Sequence, residues 1–141
     1  MAVKTINPYL FFNGNAADAV AFYEKALEAK VVRIARYGDT PGGNLPAEHA
    51  SKVMHAHLES GGGTLLLSDA IMGPPNTHGD GICVCLQYDG LGDVDRHFAA
   101  LSDGGTVNEA LQDTFWGARF GMLRDRFGTS WMLLHPRPQS A

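Results

Sequence analysis

His55 and His57 stand two residues apart in the segment VMHAHLES, with Glu59 two residues further on. In an extended strand residues i, i+2 and i+4 share one face, so these three polar side chains project together. Met54, Ala56 and Leu58 then point the other way, into a core. Two imidazoles so placed can grip a metal ion jointly, or one can take and return a proton near neutral pH. The same pattern also suits the wetted side of a sheet. These residues leave all three readings open: metal, metal-free pocket, solvated face. Trp116, beside Gly117 in DTFWGA, can lie as a flat wall over a small molecule, or equally cover a core rim or a subunit contact. Arg119 can pair an anion but suits solvent, whereas Trp131 reads as core. Cys83 and Cys85 fall on one face of a strand, about 6–7 Å apart along the chain, a poor geometry for a disulfide, and read as small buried apolar residues. His49 and His78 fall in loops and are assigned no role.

Other reactive patterns do not assemble. SGGGT (60–64) joins two strands rather than opening a helix, and no lysine follows, so it is no phosphate cradle. The chain has neither a GxSxG nucleophile elbow nor a glycine-rich strand-to-helix turn suited to S-adenosylmethionine.

The elements that must position these residues repeat. Residues 4–12 (KTINPYLFF) read as a strand, with Pro8 near its start where a missing N–H is tolerated. Asn13-Gly14-Asn15 turns, and Asn15 is placed to cap a helix. In that helix Ala19, Phe22, Tyr23, Ala26 and Leu27 recur at helical spacing. KVVRIARY (30–37) alternates as a strand, and 38–50, rich in Gly and Pro, is a loop. Residues 51–59 and 64–69 form a hairpin about Gly61-Gly62-Gly63. After a Pro- and Gly-rich linker (70–81) the order returns. It runs strand 82–88, helix 91–102 with Val94, Phe98 and Leu101 as its stripe, strand 106–111, loop, and a hairpin of 118–125 with 130–135 that turns at Phe127-Gly128-Thr129. Ala19, Tyr23 and Ala26 superpose on Val94, Phe98 and Leu101, and Thr64 superposes on Thr129. The expectation is an α+β fold of two βαβββ modules, about 4–69 and 80–135, within one domain spanning 1–141, with a frayed tail PRPQSA.

The 141 residues suffice to bury a core without staples. A formal net charge of −4 disfavours nucleic acid and anionic membranes as partners. No apolar run approaches the roughly 20 residues of a membrane-spanning helix. MAVKTINPYLFF lacks the plan of a signal peptide, so the expectation is a cytoplasmic protein.

The paired modules, together with NPYLFFNGNAADAVAFYEKAL, LLLSDA and TFWGARFGMLRDRFGTSWML, resemble the vicinal oxygen chelate superfamily of glyoxalases, bleomycin-resistance proteins and extradiol dioxygenases, and most of all its PhnB-like subgroup. The resemblance implies two cupped sheets around a pocket and a homodimer. In the superfamily's enzymes it also implies a divalent metal held by His, Gln or Glu on the first and last strand of each module. Those positions fall at or beside Pro8, near Cys83, and at Leu67 and Met132, which is no set for a hard divalent ion, so no metal or other cofactor is expected. The methyltransferase label carried by the subgroup finds no support in the residues. With Met132 facing the cup, alternation places Leu67, Asp69, Leu10, Phe12, Cys85 and Gln87 there too, and Tyr9, Phe11, Ile82, Val84 and Leu86 under the helices. The candidate ligand-binding residues are therefore Phe12, His55, His57, Asp69, Gln87, Trp116 and Met132. The expected function is metal-free binding of a small molecule. The alternatives are a lyase, isomerase or dioxygenase using unusual ligands such as His55, His57 and Asp69, and a metal-independent enzyme with a histidine base.

Overall fold

The computed structural model describes residues 2–39 and 46–136. Part of the 38–50 loop and the tail from 137 onward lie outside the described residues. The chain divides into two compact units, Met1–Asn76 and Thr77–Ala141.

In the first unit, β1 (Tyr9–Phe12), α1 (Ala16–Ala26), β2 (Lys30–Arg36), β3 (Val53–Ser60) and β4 (Gly63–Asp69) form one helix and a sheet of order β1-β4-β3-β2. β1 runs parallel to β4, and the other neighbours are antiparallel. The second unit repeats the plan with β5 (Val84–Gln87), α2 (Leu91–Ser102), β6 (Thr106–Asp113), β7 (Arg119–Arg124) and β8 (Ser130–His135) in the order β5-β8-β7-β6. The α+β architecture of two βαβββ modules is thus the observed fold. Short 3-10 turns at Tyr37–Asp39 and Ala47–His49 occupy the ends of the loop expected to be irregular.

Each helix buries its apolar stripe on one face of its own sheet. Ala16, Ala19, Val20, Tyr23 and Ala26 are the buried residues of α1; Phe22 is only half-buried. In α2 they are Val94, His97, Phe98 and Leu101. His97 interrupts an otherwise apolar stripe and shares a 2.8 Å hydrogen bond through Nδ1 with the Tyr88 hydroxyl. The β3–β4 hairpin closes between Ser60 and Gly63. Gly61 takes φ +58°, the positive angle that the first central residue of a II′ turn requires. The β7–β8 connection is longer, closing at Arg124 and Ser130. The Asp125 carboxylate organises it, accepting the Phe127 and Thr129 amides on Oδ1 and the indole N–H of Trp131 on Oδ2 at 2.8 Å.

Asn15 does not cap α1, because its side chain makes no hydrogen bond to the helix amides. The cap comes instead from the end of β4. Asp69 Oδ1 accepts the amides of Gly14 and Ala16, both at 2.9 Å, and Oδ2 accepts that of Val53 at 2.9 Å. One carboxylate therefore ties the helix start to both ends of the β3–β4 hairpin.

Candidate functional site

Burial assigns a face to every strand residue. In the first sheet Leu67 pairs with Ala56 on one side and Leu10 on the other, and Leu65 pairs with Leu58. Leu67, Ala56, Leu58 and Leu65 are buried, so this is the face under α1. The opposite, open face carries Tyr9 and Phe11 from β1, Leu66 and Ser68 from β4, His55, His57 and Glu59 from β3, and Arg33 from β2. His55 and His57 thus stand where alternation put them.

The rest of the first-module assignment is reversed. Phe12 is 3% exposed and Asp69 1% exposed, both on the helix side, whereas Tyr9 (38%) and Phe11 (46%) open away from it. The cause is a one-residue slip, which sends every side chain of a strand to the other face. Superposing Thr64 on Thr129 ignores that one hairpin turns through two residues and the other through five, Asp125 to Thr129. Asp69 is also spent chemically, since both oxygens are committed to backbone amides. It cannot join His55 and His57 in a ligand set.

On that face the Tyr9 hydroxyl and His55 Nδ1 share a 2.8 Å hydrogen bond, and the Tyr9 and Phe11 rings stack at 4.9 Å, 13° from parallel. Burial pushes the Tyr9 hydroxyl above its ordinary range; the Ser68 hydroxyl opposes the shift and Tyr37 adds to it. A neutral phenol bonded to an imidazole can donate to a ligand oxygen while the ring holds or passes the proton. Beside it, His57 Nε2 lies 3.3 Å from Glu59 Oε1, close enough for an ion pair when the ring is protonated but without hydrogen-bond geometry. The result is a flat aromatic platform edged by polar groups.

In the second sheet the expected faces hold. Trp131 and Leu133 are buried beneath α2, so Cys85, Gln87, Met132 and Leu134 fall on the open face, with Met122 and Phe120 of β7 beside them. Phe120 pairs with Leu134, which pairs with Gln87. Trp116, 53% exposed in the β6–β7 turn, sets its ring 6.1 Å from that of Phe120 and so closes this row. Gln87, Met132 and Trp116 thus belong to one surface of this unit. Three expectations need correction. Ile82 precedes β5 and is exposed, Cys85 is exposed and Cys83 half-buried rather than both buried, and Arg119 is held by Asp95 (2.9 Å) and Asp113 (3.3 Å) rather than solvated. His78 hydrogen-bonds Thr129 at 2.6 Å. Tyr9, Phe11, Met122 and Phe120 are site-face residues that the sequence reading missed.

With the observed register, the open-face residues of the first and last strands are Tyr9, Phe11, Leu66 and Ser68 in one unit and Cys85, Gln87, Met132 and Leu134 in the other. Only Gln87 is of a type suited to a hard divalent ion, so these residues do not fit such a metal. Among the described residues no three His, Cys, Asp or Glu side chains are grouped to hold one.

A helix packed on one face of a four-stranded β1-β4-β3-β2-type sheet, repeated once, defines the architecture of this chain. The chain belongs to the glyoxalase/bleomycin resistance protein/dioxygenase superfamily, whose family model matches residues 5–133. It is 29% identical over 137 residues to protein YjdN of Escherichia coli, covering 91% of this chain and 92% of that one. The crystal structure of protein PA1353 from Pseudomonas aeruginosa superposes with a TM-score of 0.83 at 37% identity, covering 96% of this chain and all of that one. The PhnB protein of Bacillus cereus shares the fold, with a TM-score of 0.74 at 24% identity over 94% of this chain and 99% of that one. Among the described residues no helix is long and apolar enough to cross a membrane.

Proposed function

We propose that this protein binds a small, flat organic molecule bearing a hydrogen-bond-accepting oxygen, without a hard divalent metal, as a cytoplasmic homodimer. The observation that carries this reading is the stacked Tyr9–Phe11 pair bonded to His55 on an open sheet face. Aromatic faces supply contact area at little entropic cost, and the phenol supplies direction. Gln87, Met132 and Trp116 offer a second surface of the same kind. His55 also supports a second reading, metal-independent acid–base chemistry on the bound molecule. Exposed apolar groups on β2, Val32 and Ile34, support the dimer.

The test is a thermal-shift and tryptophan-fluorescence screen of phenolic and carboxylated aromatic compounds, with metal content measured on the same preparation. Hits should weaken in Phe11→Ala and Tyr9→Phe. Hits that bind both variants as well as the wild type, or stoichiometric Zn, Ni, Mn or Fe in the purified protein, would sink the reading. A monomer mass by light scattering would remove the dimer from it.

A further inference from the structure

Of five methionines and two cysteines in the chain, Cys83, Cys85, Met122 and Met132 come together on the second unit. Cys85 and Met132 are direct partners across β5 and β8, and Met132 and Met122 are direct partners across β8 and β7. Neighbouring strands lie about 4.8 Å apart, so these side chains form one row over three strands on the open face. Cys83 precedes Cys85 by two residues. It lines, with Met122, Arg124 and Ser130, a cleft of about 360 Å³. Cys85, Met132 and Met122 thus share the open face, and Cys83, immediately before β5, shares a cleft with Met122.

We propose that this cluster is a binding site for a soft, thiophilic monovalent cation of the Cu(I) type. Thiolate and thioether ligands together select Cu(I), whereas zinc sites are built from Cys, His and carboxylates and make no use of thioethers. Methionine side chains have three rotatable bonds and can swing their sulfur onto an ion. Cys83 immediately precedes β5 and Cys85 lies within it, and both are free thiols. The site is independent of the aromatic platform on the first unit and of any hard divalent metal.

The experiment is an anaerobic titration of the fully reduced, full-length protein with Cu(I) in competition with a chromogenic Cu(I) chelator, followed by X-ray absorption at the copper edge. One Cu(I) per chain in an all-sulfur shell is expected. Cys83→Ser, Cys85→Ser, Met122→Leu and Met132→Leu should each lower affinity by at least about tenfold, the scale at which even supporting residues of metal sites act. Methionine-to-leucine changes conserve volume, so these variants should keep the wild-type unfolding temperature and separate ligand loss from misfolding. Failure to retain Cu(I) against the chelator would overturn the site. So would retention in the double cysteine variant, or cysteine-dependent binding indifferent to both methionines.

Discussion

The carboxylate of Asp69 decides between a structural and a ligand-binding reading of the first module. In Asp69→Ala the amides of Gly14, Ala16 and Val53 lose their acceptor at once. The bonds to Ala16 and Val53 are buried, and the one to Gly14 is partly so. A buried donor left without a partner costs about 1–3 kcal/mol, so two such donors and a partly wetted third amount to about 3–5 kcal/mol. Against a total stability of about 5–15 kcal/mol this lowers the melting temperature by roughly 10–20 °C. Asp69→Asn keeps one oxygen for the Gly14 and Ala16 pair but turns an NH2 toward the Val53 amide, and should cost about 1–3 kcal/mol. The assay is thermal unfolding combined with amide hydrogen exchange, and exchange should accelerate first at Gly14, Ala16 and Val53. An alanine variant within about 1 kcal/mol of wild type, with those amides still protected, would refute the reasoning and return Asp69 to the list of groups free to meet a ligand.

Trp131→Phe removes the indole donor to Asp125 Oδ2 in a buried setting, and should cost about 2–4 kcal/mol in urea unfolding. Gly121→Ala places a Cβ 2.6 Å from Phe98 Cε2 and 3.0 Å from the Leu111 Cα. The ring can yield but the backbone cannot, so a loss of about 1–3 kcal/mol is expected by the same assay. A tyrosinate absorption titration should lose one late-ionising step in Tyr9→Phe, since burial holds the Tyr9 phenol above its ordinary range. Because the folded state binds that proton more tightly than the unfolded one, the associated stability is complete below about pH 10 and is lost as pH climbs through the folded value. Alkylation of Cys85 at mildly alkaline pH should be slower than its exposure suggests, because the thiol is pushed up; mass spectrometry of iodoacetamide-treated protein reads this directly.

How much of this was legible from the residues follows from the range of the interactions involved. The helices were, because Ala19, Tyr23 and Ala26, or Val94, Phe98 and Leu101, repeat at a spacing set by local geometry alone. The eight strands and their pairing into two modules were, because turn residues and alternation are also local. The phase of β1 and β4 was not. It depends on the turn length, and a threonine common to both hairpins pointed to the wrong residue count. The cap of α1 was invisible for a different reason. Asn15 has the right type and position, yet the amides it might have served are taken by a carboxylate 53 residues away from Ala16, and no local preference predicts a partner at that distance.

The two units keep one strand order while their open faces carry different chemistry, and the difference tracks burial. Positions beneath the helices are apolar in both, Leu65 and Leu67 in one, Trp131 and Leu133 in the other, because a cavity or a buried polar atom there costs stability directly. The open faces carry no such constraint: one bears Tyr9, Phe11, His55 and His57, the other Cys85, Met122, Met132 and Phe120. The buried carboxylates follow the same division. Asp69 ties a helix start to a hairpin and Asp125 ties a turn to an indole, and each satisfies three donors inside its own unit. Substitutions on the open faces should therefore alter binding at little expense in folding, whereas substitutions at either aspartate should do the reverse. That separation allows ligand screening and stability measurements on one set of variants to be read independently.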